Sequence, residues 1–350
     1  MKNFEVKNYR LIDFNTIIQN IPEKPMIPLH NFLLDLIDDS DGKEKSIYLN
    51  NTSNLLKEIW SEIIFMNWRI LNVRDFIPNN FGITTSTFYG YKNGRKNISI
   101  PIMYNLICQW RVLCNKELDD VDKKWDEVFN KNFLLSTRSK CQKTSLPRFI
   151  NPKLSYILGW ICGDGNLQFG KNHYVIKISE KSINQLKFVL TPLFFEIFGV
   201  IPSIYKRYGN GYAIQIGSKP ILRFLKNVMK IKIGEIPDIV YEFDRLNKLN
   251  FLKGIFDAEG YVNSKYKHST IIISQSSEIF LKKIINLFKE IGIIFIGPQF
   301  HKTELGVWYT IRIRKKLEIL KFIEIVGSNH VDKIQKLNSL RNEIEKNWNC

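Results

Sequence analysis

Cysteine and histidine are both scarce in this 350-residue chain, with five of each, no CxxC pair and no zinc-ligand spacing. Cys108, Cys114, Cys141, Cys162 and Cys350 therefore read as reduced thiols rather than a disulfide framework or a zinc site. Also missing is any uncharged apolar run of about 18 residues, the length a membrane-spanning helix needs. The opening MKNFEVKNYR lacks the apolar centre of a secretory signal, so an intracellular address is expected: cytoplasmic, nucleoid-associated or organellar. Acidic side chains are outnumbered, 34 against 51 lysines and arginines, and the resulting charge of +17 favours a polyanionic partner. Residues 1–150 carry +4 of it and residues 151–350 carry +13. No basic amphipathic helix or polybasic cluster beside an anchor accompanies that charge, which excludes a membrane surface in favour of nucleic acid.

What the chain does have is an internal echo. LSYILGWICGDG (154–165) is answered by LNFLKGIFDAEG (249–260), and YVIKIS (174–179) by STIIIS (269–274). EIFGV (196–200) pairs with KEIGI (289–293), YAIQI (212–216) with YTIRI (309–313), and ILRFL with ILKFI. Small changes of offset between these pairs are what a diverged tandem repeat shows. Within each copy the apolar period switches from helical to alternating and back. The spacing predicts a motif helix, two β-rich segments, a helix near 184–198 or 279–291, two further strands and a closing helix near 220–229 or 317–326. The order is αββαββα, twice, in an α+β fold. Residues 232–250, with Gly234 and Pro237, read as the connector. Residues 1–150 have no counterpart in the repeat; they read as a mainly helical domain ending in a polar linker at 136–152. Three units follow: 1–150, 151–248 and 249–350. Hydrophobic residues make up 44% of the chain, enough to bury more than one core.

Gly159 and Gly163 are four residues apart, as are Gly254 and Ala258, so each motif helix has one face almost bare of side chain and the two can pack closely. Each ends in an acidic residue followed by a glycine suited to a left-handed cap: Asp164-Gly165 and Glu259-Gly260. Packing brings the two carboxylates together at the negative ends of two helix dipoles, an arrangement that repels itself. A hard divalent cation, Mg2+ with Mn2+ as substitute, answers that repulsion, with Asp164 and Glu259 and the preceding Gly163 and Ala258 as the binding set. Such an ion activates water and stabilises charge on a phosphodiester. One acidic-glycine step is usually a turn, and one small-xxx-small step is usually plain packing. Two of each at equivalent points of a repeat, on a basic chain, point to chemistry.

ILGWICGDG and FLKGIFDAEG resemble the two motif helices of single-chain LAGLIDADG (dodecapeptide, DOD-type) homing endonucleases, with departures at Trp160, Cys162 and Phe256. The resemblance covers roughly residues 151–345. It implies a pseudo-twofold pair of αββαββα units whose antiparallel sheets form a saddle over DNA. It also implies metal-dependent cutting of both strands across the minor groove with staggered 3′ ends, and Asp164 and Glu259 as catalytic acids. Family members place a basic residue after each last helix; Lys333 matches in copy two, and Lys230 or Lys232 in copy one at a shorter spacing, with plain surface charge an equal alternative for all of these lysines. The resemblance further implies an intron- or intein-associated mobile element. The partner is then a long, near-asymmetric duplex site read by a monomer, since the duplication already supplies two half-site readers.

In the segment 309–316, alternation puts Ile311 and Ile313 on one face and Arg312 and Arg314 on the other, where arginines can pair with guanine edges. Gln215 holds the matching place in copy one. Asn166, Gln168, Lys171, His173 and Lys177, then Asn263, Lys265 and Lys267, line the hairpins; Tyr205, Lys206, Arg207, His301 and Lys302 add a basic rim. In the N-terminal part, VRDFIPNNFGITTSTFYGYKNGRKNISI resembles a helix-turn-helix unit. Gly82 sits in its turn and Thr84 caps a helix carrying Thr85, Ser86, Thr87, Tyr89 and Lys92, with Arg95 and Lys96 beside phosphates. A small helical bundle with a basic loop is the alternative. Two other functions compete: a DNA-binding regulator or RNA-binding intron maturase that keeps the fold without cleavage, disfavoured by the two intact carboxylates, and self-splicing. The terminal Asn349-Cys350 suits splicing, but Trp348 stands where a histidine is expected, which excludes it.

Overall fold

A computed structural model of the chain describes residues 36, 47–67, 69, 71–117, 119–121, 123–124, 135–136, 143–147, 149–170, 173–209, 211–263, 269–304 and 306–346. The N-terminal part packs α1 (Ser53–Asn67), α2 (Val73–Phe81), α3 (Thr85–Lys92) and α4 (Ile100–Leu113) around Leu56, Ile59, Trp60, Phe88, Met103 and Ile107. Trp60 and Phe88 meet with ring centroids 4.6 Å apart. Three two-residue strands, which the helical reading did not include, close one side: β1 (Tyr48–Leu49) lies between β2 (Ile98–Ser99) and β3 (Leu135–Ser136). Part of the stretch read as a linker is docked. Leu135 and Thr144 exchange backbone hydrogen bonds, and the Ser145 amide donates to Phe198 O at 3.0 Å. Arg223 Nη1 donates to Leu36 O at 2.8 Å, tying the two regions together.

The repeat follows the expected order. Copy one runs α5 (Pro152–Asp164), β4 (Gly165–Gly170), β5 (His173–Glu180), helix α6 over 183–198, β6 (Ser203–Lys206), β7 (Tyr212–Gly217) and helix α7 over 219–228. Copy two runs α8 (Arg245–Glu259), β8 (Gly260–Asn263), β9 (Thr270–Gln275), α9 (Glu278–Glu290), β10 (Ile296–Thr303), β11 (Gly306–Ile313) and α10 (Lys316–Ile325). A further helix, α11 (Val331–Lys346), follows. Each copy forms one four-stranded antiparallel sheet, β4-β5-β7-β6 and β8-β9-β11-β10. Alternation sends Ile176, Ile178, Ile214 and Ile216, and Ile271, Ile273, Ile311 and Ile313, into the core. The opposite face of the first sheet carries Asn166, Lys177, Gln215 and Ser203, whereas that of the second mixes Arg312 and Ser274 with Ile272, Ile296 and Tyr261.

Helix α5 begins at Asn151, whose side chain accepts from the Leu154 amide at 2.8 Å, with Pro152 in the first turn. Every residue from Leu154 to Gly163 is buried, as expected of a helix apolar on all sides. Helix α8 starts at Arg245, inside the segment read as connector, because Asp244 caps it by accepting from the Asn247 amide at 2.8 Å. The division expected between 248 and 249 thus cuts through this helix. A Cβ on Gly159 would sit 2.1 Å from Phe251 O, and one on Gly254 would sit 2.1 Å from Tyr156 O. The two backbones touch where the sequence leaves room.

Gly165 and Gly260 are not left-handed caps. Their φ/ψ values of −73/155° and −83/148° are extended, because the chain passes from each helix directly into β4 or β8. Glycine is needed there for space: a Cβ would lie 2.3 Å from Ile161 O at the first and 2.2 Å from the Phe256 ring at the second.

Candidate active site and nucleic-acid interface

The close packing of α5 on α8 carries their last residues, Asp164 and Glu259, to one place. A Cβ on Gly163 would stand 2.8 Å from Ala258 Cβ and 3.1 Å from Glu259 Cγ, so the tips of the two helices abut. Asp164 keeps an exposed edge, but protein crowds the rest of it. Burial first, and then the negative charge of Glu180, push its carboxyl up to about 6, against the pull of Lys333. Glu259 rises to about 8, through burial and the charge of Asp164, opposed by Lys333 and by a hydrogen bond from Gln275 Nε2 at 2.7 Å. These are acids held together with less positive charge than they need.

Lys333 is the cation at the centre. It stands in the first turn of α11, and its Nζ donates to Phe256 O at 2.9 Å and Asp257 O at 2.7 Å, carbonyls at the C-terminal end of α8. Burial pushes its ammonium below the usual lysine value, while Asp257, Glu180, Asp164 and Glu259 draw it back up. Helix α11 is anchored by a buried network. Asp257, fully buried, accepts from Tyr156 OH at 2.7 Å, from Ser328 Oγ, and from the Asn329 amide at 2.8 Å. Gln185 Oε1 accepts from the Val331 amide at 3.1 Å. His330 Nδ1 accepts from the Asp332 amide at 3.2 Å, which leaves Nε2–H facing Glu180 at 3.4 Å. Trp160 stacks on the His330 ring with centroids 6.4 Å apart.

Lys232 lies elsewhere. Its side chain is 72% exposed and pairs with Glu235 at 3.5 Å, and it is not among the charges acting on Asp164 or Glu259. It borders an open depression lined by Leu167, Phe169, Lys226 and Lys230. Among the described residues the cation acting on both acids is Lys333, carried by α11 after copy two.

About half of the expected base readers lie on the sheet faces turned away from the core. Asn166, Lys177, Gln215 and Ser203 lie directly opposite one another, one from each strand, and form a row across the first sheet. Gln168 continues that face on β4 and Tyr205 on β6. Lys206 instead pairs with Tyr212 on the opposite face, at the end of β6, and Arg207 follows it. In the second sheet Arg312 sits between Ile272 and Ile296, with Tyr261 beyond Ile272. Arg314 lies past the end of β11 and is exposed, because the strand stops at Ile313 before α10. His301 shares the Arg312 face, stacks on Trp308 at 5.6 Å and meets Thr310 Oγ1 at 2.9 Å; Lys302 faces the other way, opposite Val307. Asn263 ends β8 opposite Thr270. Lys171, Lys265, Lys267 and the side chain of His173 lie outside the described residues.

In the N-terminal part, α2 ends at Gly82, left-handed at φ 62°, and Thr84 caps α3 by accepting from the Thr87 amide at 3.2 Å. Phe88 and Tyr91 are buried, while Ser86, Tyr89, Arg95 and Lys96 are exposed and Thr85, Thr87 and Lys92 half-buried. Lys92 Nζ lies 4.7 Å from the Tyr89 ring centroid. One side of α3 thus holds the bundle and the other presents hydroxyls and cations.

Sequence reading missed Glu180, Gln275, His330 and Asp257. The first two were within reach: extending the echoed segments by one residue aligns YVIKISE with STIIISQ. The other two depend on how the 326–331 loop docks, which no local pattern reveals.

Residues 247–327 match the profile of the LAGLIDADG-like domain family. The homing endonuclease I-ApeI of Aeropyrum pernix is 24% identical over 199 residues, covering 53% of this chain and 86% of its own. The duplicated half has the LAGLIDADG fold. A glutamine–fructose-6-phosphate aminotransferase of Methanocaldococcus jannaschii is 28% identical over 207 residues, 57% of this chain. Only 18% of that protein's length is spanned, so its activity says nothing of this chain. Among solved structures, I-DmoI in complex with DNA and Mn is similar at 22% identity, covering 51% of this chain and 98% of that one with a TM-score of 0.39. The N-terminal LAGLIDADG domain of DUF199/WhiA is similar at 18% identity and TM-score 0.37, covering 53% and 86%. No described helix is long and apolar enough to cross a membrane.

Proposed function

We propose that this chain is a site-specific, double-strand DNA homing endonuclease of the intron- or intein-associated kind. The observation that carries the reading is the meeting of Asp164 and Glu259 at abutting helix ends, both carboxyls raised, with Lys333 as the cation beside them. The donor chemistry fits a hard divalent ion: two carboxylates and nearby backbone carbonyls, with the rest of the shell left to water and phosphate, which is how magnesium is usually held. Among the described residues no cluster of three or more His, Cys, Asp or Glu offers an all-protein cage instead. When bound, Mg2+ or Mn2+ supplies an activated water and charge stabilisation on the phosphodiester.

The chain's own residues do the remaining work. Asp164 and Glu259 would hold the ion and position the attacking water. Lys333, tied to two carbonyls and partly stripped of water, offers a positive charge to the phosphate as negative charge builds in the transition state. The row Asn166–Lys177–Gln215–Ser203 and the Arg312 face read base edges in the major groove, and staggered 3′ ends follow from cutting across the minor groove between them. Residues 1–150 act as an accessory DNA-binding module in which α3, with Arg95 and Lys96, contacts the duplex. The two repeats serve as the half-site readers of an asymmetric target, and the protein works as a monomer in the cytoplasm or an organelle.

The test is incubation of the protein with a randomised duplex library and Mg2+, followed by sequencing of the ends. Recurrent double-strand cuts at one long site are expected. Selective binding without cutting in Mg2+ or Mn2+ would replace this reading with that of a regulator or maturase.

A further inference from the structure

Sheet register fixes which residues of the two copies are equivalent. Gly165 lies opposite Ile178 on β5, and Gly260 lies opposite Ile273 on β9. One residue further along β4 and β8, a row of four residues crosses each sheet. In the first sheet the row is Asn166, Lys177, Gln215 and Ser203. In the second sheet the same four places hold Tyr261, Ile272, Arg312 and Ile296. Lys177 and Ser203 thus give way to isoleucine and Asn166 to an aromatic ring, while the Gln215 place keeps a long polar side chain.

Tyr261 and Ile296 are 54% and 53% exposed and Ile272 is half-buried, so the second row is open to whatever lies over the sheet. Strand formation does not demand these residues, because copy one builds the same strands from Asn, Lys, Gln and Ser. One exposed apolar side chain is ordinary; three in a single row make a surface that gains from being covered. The row is also framed by positive charge. Arg312 stands between the two isoleucines, and among the described residues no hydrogen bond or ion pair engages its guanidinium. At the other end, Lys336 Nζ lies 5.6 Å from the Tyr261 ring centroid. Apolar ground between cations suits a polyanion that itself presents apolar groups. In a DNA duplex that combination occurs in the major groove, where the C5-methyl of thymine projects beside the acceptors of purine edges; the minor groove offers no methyl group.

We propose that the two halves of the target are read by different chemistry: the second sheet recognises thymine methyl groups through Tyr261, Ile272 and Ile296, on either side of a purine held by Arg312, and the first sheet reads its half by hydrogen bonds. The inference rests on the endonuclease reading above for the placing of the duplex over the sheets. Its consequence is that one half-site depends on thymine methyls and the other does not.

The test begins with target sites recovered by binding selection from a randomised duplex library in Ca2+, so that it does not depend on cutting. Each thymine of the recovered site is then replaced singly by deoxyuridine, which removes the methyl and leaves every hydrogen-bonding group in place, and affinity is measured for wild type, Ile272→Ala, Ile296→Ser, Lys177→Ala and Gln215→Ala. For wild type, deoxyuridine at two or more positions within one half should weaken binding about three- to five-fold each, the loss expected of one buried methyl group, and should have little effect in the other half. Ile272→Ala and Ile296→Ser should bind the thymine site less tightly and become indifferent to deoxyuridine at their own positions, while Lys177→Ala and Gln215→Ala keep the full wild-type sensitivity. A recovered site without thymine in either half, equal sensitivity in both halves, or sensitivity that survives both isoleucine exchanges overturns the proposal. A site that is cut in Mg2+ without methyl dependence removes this inference alone; a site bound through its methyls but never cut removes the endonuclease reading alone.

Discussion

Replacing Glu259 by Gln should stabilise the metal-free protein at pH 8 and leave it almost unchanged at about pH 4. The Glu259 carboxyl is raised to about 8 from an ordinary 4.5. Below the ordinary value both folded and unfolded chains carry the proton, so the group contributes nothing to the pH dependence. As pH climbs from there towards 8 the unfolded chain ionises first, and folding loses up to about 1.4 kcal/mol per pH unit. Over the whole window the ceiling is about 5 kcal/mol; partial solvent access and coupling to Asp164 reduce the realised figure to about 1–2 kcal/mol. Glutamine keeps an oxygen to accept from Gln275 and cannot ionise. The Tm of Glu259→Gln should then exceed wild type by roughly 2–8 °C at pH 8, with the two converging by about pH 4. Adding Mg2+ should raise the wild-type Tm at pH 8 and move the variant less, because a bound ion relieves the same repulsion. Scanning calorimetry without and with Mg2+ at the two pH values measures this. Parallel pH curves for the two proteins would refute the crowded-carboxylate reasoning.

Gly254→Ala puts a methyl group 2.1 Å from Tyr156 O, in backbone that cannot yield without parting α5 from α8. Chemical denaturation should show a loss of at least about 1–3 kcal/mol. Lys333→Met removes the cation beside both acids and should abolish cleavage while duplex affinity in Ca2+ survives, a pattern gel-shift and cleavage assays separate. Arg95→Ala with Lys96→Ala should weaken binding to all duplexes alike and lower the salt slope by about 1–2, measured by fluorescence anisotropy across a salt series; an unchanged slope would mean the N-terminal module does not touch phosphate.

The repeat was legible because its determinants are local. The switch of period from helical to alternating marks αββαββα without help from tertiary contacts, and the small residues at 159, 163, 254 and 258 foretell the abutting helices. Where neighbouring structure decides, the sequence misled. Gly165 and Gly260 look like helix-ending caps, but the following residues pair with β5 and β9 at once, so the glycines serve clearance rather than a left-handed turn. Asp244 starts α8 before its apolar stretch begins, which hid the first turn of that helix. Helix α11 escaped notice because Leu337, Leu340 and Ile344 are its only buried residues among many charges. With it went the reason Lys333 reaches the acids: Asp257 and Gln185 bind the loop and the first turn that carry it. Strands of two residues, such as β1 to β3, leave no period to read.

The most direct test of the central claim uses the target site recovered from the library: cleavage by wild type, Asp164→Asn and Glu259→Gln in Mg2+, with duplex binding measured in parallel. If the paired carboxylates are the catalytic centre, each variant binds the site as wild type does and fails to make the double-strand cut. Undiminished cutting by either variant would contradict the account.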